Sequence, residues 1–140
     1  MMHYLKIVFI AAMLWAPTLH AEPLLKTKTS WDGGEIYYPK GEPEITSIKL
    51  KLAEGMTTKF HCHPVPTLGY ILKGRVEVET KDGKKVLLKE GESAVEVMRT
   101  LHRGKAINGP VEILVFYAGS TSVPNTVFAG DDPKNLHCDG

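Results

Sequence analysis

Gly55-Met56-Thr57-Thr58-Lys59-Phe60-His61-Cys62-His63-Pro64-Val65-Pro66-Thr67, followed after six residues by Gly74, is the stretch that decides how this chain is read. Side chains along an extended strand alternate between faces, so His61 and His63 point the same way and Cys62 points the other. A third imidazole from a neighbouring strand would close half a coordination shell around one divalent ion. His102 is the candidate, separated by ten residues from the turn glycine Gly91.

Outward from this stretch the pattern is β. Ile48, Leu50 and Leu52 alternate with Lys49 and Lys51, as in a half-buried strand. Pro64 and Pro66 interrupt the histidine strand, because proline donates no ladder hydrogen bond. Leu68–Leu72, Val76–Glu79, Val86–Leu88, Ala94–Met98 and Val111–Tyr117 read as further strands, the last an apolar run suited to the middle of a sheet. Lys81-Asp82-Gly83-Lys84 is a hairpin signal and Glu90-Gly91-Glu92 another turn. No stretch beyond the N-terminal segment keeps a 3.6-residue apolar period. Short strands with turns every eight to twelve residues predict an all-β sandwich or small barrel.

The 140 residues allow one domain. Met1–Ala21 has the layout of a secretory signal peptide: Lys6 in a short polar start, the apolar run Ile7–Trp15, then Pro17 and Ala21. Cleavage after Ala21 and a periplasmic or secreted location are the expectation, with an uncleaved anchor as the alternative. The apolar run is too short to span a bilayer comfortably. Residues 22–43 and 120–140, rich in Pro, Gly, Thr, Asp and Asn, are expected to be an N-terminal arm and a C-terminal tail around a barrel at 44–119. Without Lys6 the 17 basic residues become 16 against 16 acidic ones. That balance argues against nucleic acid or an anionic membrane as main partner. Export would permit a Cys62–Cys138 disulfide; two unpaired thiols are the alternative.

The glycine and histidine spacing resembles the cupin superfamily. Its first motif, Gly, five residues, His-x-His, three or four, Glu, six, Gly, is matched by Gly55, His61, His63 and Gly74, with Thr67 in the glutamate position. In the second motif Gly91 and His102 are in register, while Val97, Arg99 and Ala106 replace the family's Pro, Gly and Asn. Asn108 lies two residues beyond that last position. The resemblance covers roughly Glu44 to Gly119 and implies a double-stranded β-helix, or jelly-roll barrel, with a metal site inside; such barrels commonly pair as homodimers.

His61, His63 and His102 are therefore expected to bind Fe, Mn, Ni, Cu or Zn, among which imidazole does not choose. With Thr67 in place of the carboxylate, water or substrate can fill the open position. Glu96 can instead be a ligand, a nearby general base, or an outward-facing residue; its place in the strand leaves either face open, and the resemblance to cupins with a second-motif glutamate implies an inward one. Thr67, Tyr70, Met98 and Phe116 are candidates for the substrate pocket. Arg99 and Arg103 flank His102 and could draw an anionic substrate, or be solvated. A small-molecule metalloenzyme of dioxygenase type is the leading expectation, with isomerase or decarboxylase chemistry using the same parts. The alternative is a non-catalytic periplasmic module that binds a metal or small ligand.

Overall fold

The computed structural model describes residues 19–139, so the apolar segment of the expected signal peptide lies outside the described residues. Among the described residues nine strands run in chain order: β1 (Pro43–Leu52), β2 (His61–Cys62), β3 (Thr67–Lys73), β4 (Arg75–Thr80), β5 (Lys85–Lys89), β6 (Ser93–Val95), β7 (His102–Ala106), β8 (Val111–Ser120) and β9 (Val127–Phe128). They form a four-stranded sheet, β1-β8-β3-β6, and a five-stranded sheet, β5-β4-β7-β2-β9. All strand pairs are antiparallel. Among the described residues no helix is long and apolar enough to cross a membrane.

The apolar run Val111–Tyr117 takes the position expected of it: β8 lies between β1 and β3. Its residues Val111, Ile113, Val115 and Tyr117 are buried, together with Leu52 of β1, Ile71 of β3 and Val76 and Val78 of β4. These side chains face one another between the sheets, and their burial is the main source of stability in a small domain. Pro64-Val65-Pro66 does more than interrupt a strand. It carries the chain from β2 in one sheet to β3 in the other. Val65 is fully buried at this crossing, and the Pro66 carbonyl accepts from Ala118 N–H.

Gly74 shows why the turn between β3 and β4 requires glycine. Its φ is +81°, and a Cβ there would sit 2.2 Å from the Pro110 carbonyl oxygen. The second-motif strand is shorter than expected: β6 ends at Val95, although Glu96 N–H still donates to Thr67 O. Arg99 stands where the family has glycine and adopts the left-handed φ of +57° that glycine would take freely. The C-terminal tail holds it there. Its backbone N–H donates to His63 O and its carbonyl accepts from Asp139 N–H, while its guanidinium reaches Asp139 and Leu136 O.

Both terminal segments lie against the barrel. In the N-terminal one, Thr29 bridges Glu35 and Trp31 packs on the core, its N–H donating to Val95 O. In the C-terminal one, β9 adds to the sheet beside β2, pairing Phe128 with His61 and Val127 with Cys62. Beyond it, the Asp132 carboxylate accepts from the N–H groups of Leu136, His137 and Cys138. These bonds hold its pKa below the ordinary value. They fold the tail so that Cys138 meets Cys62 in a disulfide, as the sequence allowed.

Candidate metal centre

The triad is assembled by one antiparallel pair and one alternation. His61 of β2 is directly opposite His102 of β7. His63, two residues along from His61, is on the same face, and Cys62 between them turns outward to its disulfide. One nitrogen from each ring lies within 4.8 Å of the other two. Ring centroids are 4.6 Å apart for His61–His102, 4.9 Å for His61–His63 and 5.0 Å for His63–His102.

What makes this a ligand set is the other side of each ring. Nδ1 of His61 is 2.7 Å from Lys59 O, Nδ1 of His63 is 2.9 Å from Asn125 O, and Nδ1 of His102 is 2.8 Å from Thr100 O. A carbonyl can only accept, so each Nδ1 carries the proton and donates it. Each Nε2 is left with a free lone pair, and the three converge. Backbone carbonyls in this role fix tautomer and orientation in metal-binding histidines generally. Burial also keeps two of the rings, those of His61 and His63, in ligand form. It pushes the His61 pKa down to about 4 and His63 well below its usual value, the neighbouring imidazoles adding to the effect. The donor set therefore fits a divalent transition metal.

The fourth position follows from Thr67 and Glu96. Thr67 is buried and its hydroxyl donates to Val65 O, so it lines the site without offering a competing charge. Glu96 is turned inward. One carboxylate oxygen is 3.8 Å from His102 Nε2 and accepts from the indole N–H of Trp31 at 3.2 Å. Glu96 thus stands at the edge of the triad, and the N-terminal segment holds it there.

The site opens into a cavity of about 350 Å³ between the sheets. Of the pocket candidates, Thr67 lines it. Three other pocket candidates do not, and strand alternation gives the reason for two of them. In β3 the cavity takes Thr67, Gly69 and Ile71, so Tyr70 is on the other face; in β8 it takes Ile113, Val115 and Tyr117, so Phe116 points to solvent. Met98 is buried outside the cavity, its sulfur accepting from Tyr37 N–H of the N-terminal segment. Arg99 and Arg103 are also away from the cavity: Arg99 pairs with Asp139, and Arg103 pairs with Glu79 over the Phe60 ring.

Several contributors escaped the sequence reading. Trp31 and Asn125 act from the terminal segments, and no local pattern links them to the histidines. Tyr117, edge-on to His63 at 5.5 Å, carried only the signal of an inward position on an apolar strand.

Comparison with known proteins agrees with this geometry. A family model described as a cupin domain matches residues 49–117. No curated protein matches the chain. Among solved structures, the DMSP lyase DddQ from Ruegeria pomeroyi is similar at 19% identity and a TM-score of 0.54, over 63% of this chain and 44% of that one. An oxalate oxidase in complex with the substrate analogue glycolate is similar at 22% identity and a TM-score of 0.52, over 64% and 50%. A protein with a double-stranded β-helix domain from Klebsiella pneumoniae gives 17% identity and a TM-score of 0.53, over 67% and 84%. The match thus spans half or less of the lyase and oxidase chains, and at these identities the likeness is one of fold. The matched segment contains all three histidines, both cupin motifs and the strands that carry them, and the chain belongs to the cupin superfamily.

Proposed function

We propose that the protein is a metal-dependent cupin acting on a small molecule, with one divalent ion (Fe, Mn, Ni, Cu or Zn) held by His61, His63 and His102. The observation that carries this is the set of three Nδ1–H donors to backbone carbonyls, which leaves three Nε2 lone pairs convergent. When bound, the ion would supply Lewis-acid polarisation and open coordination positions. The chain does the rest. The three imidazoles hold the ligand geometry, and the apolar walls exclude water from it. Glu96 stands within reach of a substrate beside His102 and can accept its proton, oriented by Trp31. Dioxygenase-type oxidation of such a substrate is our leading reaction; isomerisation or decarboxylation would use the same proton acceptor.

Thr67 supports the second reading, a binding module without turnover, because no first-motif carboxylate is present. The expected outcome is one metal per chain in protein purified without oxygen, lost in His61→Ala/His63→Ala. Unchanged metal content in that variant sinks the assignment. Oxygen uptake with catechols, flavonols, diketones or thiols separates the dioxygenase from the binding module, which would bind them without consuming oxygen or ligand.

Export to an oxidising compartment belongs to the same proposal, and the Cys62–Cys138 pair supports it. Cell fractionation tests it: a cytosolic, full-length product would refute it. Homodimerisation is proposed on the edge position of the ten-residue β1, and light scattering showing only monomer at high concentration would remove it.

A further inference from the structure

We propose that the substrate is an apolar-bodied molecule of roughly a dozen heavy atoms that gives the metal one ionisable oxygen or sulfur group and carries no second charge. This rests on the metal reading above and names what that site would take. Size comes from the cavity. At about 350 Å³ it is a little more than twice the volume of an engineered apolar cavity of roughly 150 Å³ that takes up benzene. Shape and polarity come from its walls. Ile71, Val76, Val78, Leu88, Ile113 and Val115 form the interior. Ile48 and Phe128 line the cavity and are also solvent-exposed, which puts apolar side chains at its mouth.

Charge decides the class. Among the described residues that line the cavity none is a lysine or arginine, and Glu96 is the only acid. The nearby arginines are committed elsewhere, Arg99 to Asp139 and Arg103 to Glu79. A divalent ion and one carboxylate leave a single positive charge, which one anionic donor balances. A second anionic group would be buried against aliphatic side chains with no counter-ion, a costly arrangement. The cavity thus selects against dicarboxylates and other dianions and in favour of phenols, enols or thiols on a hydrocarbon body. The Tyr117 and Phe128 rings beside His63 and His61 add aromatic contact on two sides of the triad.

The test uses the processed protein loaded with zinc, which is redox-silent, so that binding is read without turnover. Zinc stoichiometry is measured first by elemental analysis. Phenol, 4-methylphenol, 4-ethylphenol and 4-propylphenol are then titrated by calorimetry, beside 4-hydroxybenzoate and oxalate. The expected result is 1:1 binding that tightens about fourfold per added methylene. The two carboxylated probes should bind at least tenfold more weakly than 4-ethylphenol. If zinc is retained but affinity is flat along the series, or oxalate binds as tightly as the alkylphenols, the substrate class is wrong and the metal site stands. If zinc is not retained at all, the metal reading fails and this inference falls with it.

Discussion

Reduction of the Cys62–Cys138 disulfide should weaken both the fold and the metal site. The bridge spans 76 residues of chain, and the chain-entropy relation for a loop of that length gives about 4.5 kcal/mol as the upper stabilisation. For a domain of roughly 120 residues the unfolding entropy is near 0.25 kcal/mol/K, so the corresponding fall in Tm is up to about 18 °C. The site should suffer separately. Cys62 lies between two ligands, and the tail bearing Cys138 bridges Asp139 to Thr100, whose carbonyl orients His102. Freeing the tail loosens the backbone on both sides of the triad, and loss of such outer support typically costs about 10–100-fold in metal affinity. The assay is thermal unfolding by circular dichroism with and without a phosphine reductant, and again with Cys138→Ala. Chelator competition gives the metal affinity of each form. A fully reduced protein whose Tm stays within about 2 °C of the oxidised form would refute the stabilisation argument; an unchanged metal affinity would refute the coupling.

Three other outcomes follow from the geometry. Gly74→Ala combines a left-handed φ with a Cβ 2.2 Å from Pro110 O, and should cost about 3 kcal/mol or more in urea unfolding; a loss under 1 kcal/mol would show that the turn relaxes freely. Trp31→Phe keeps the packing but removes the hydrogen bond to Glu96, so metal content should be unchanged while kcat falls about tenfold with little change in KM; a kcat equal to the parent's would remove Trp31 from any positioning role. In the metal-free protein, burial lowers His61 to about 4 from 6.5. The unfolded chain then binds the proton first, so stability is full above pH 6.5, falls as pH drops toward 4 by on the order of 3 kcal/mol, and levels off below. His63 is shifted in the same direction and adds to the fall. Urea midpoints across that window test this, and His61→Gln should flatten the slope.

The fold was legible because its signals are local. Alternation at Ile48, Leu50 and Leu52, the apolar run of β8 and the turn at Gly83 each reflect one strand or one hairpin. The triad was legible for the same reason: a two-residue period brings His61 and His63 together, and motif spacing brings in His102. Strand parity could not place Glu96, because the strand ends at Val95, and only the resemblance implied that it turns inward. The choice of Tyr70 and Phe116 failed on parity alone, one residue out of phase with Thr67 and Tyr117. The tail was the least readable part. That Arg99 can replace glycine depends on Leu136 and Asp139, nearly forty residues away, and only the folded chain brings them together.

The three Nδ1–H groups are all received by main-chain carbonyls, two of them only two residues before the histidine they orient. A main-chain carbonyl has no identity to mutate. Substitution at Lys59, Thr100 or Asn125 leaves the acceptor in place so long as the backbone path survives, so the ligand tautomer is inherited from the fold itself. The cavity walls have no part in this support. Val76, Val78, Leu88 and Ile113 can drift toward a differently shaped ligand while the three imidazoles keep their aim. In evolutionary terms the protein separates a fixed instrument from an exchangeable fitting, so the ion can outlast a change of substrate.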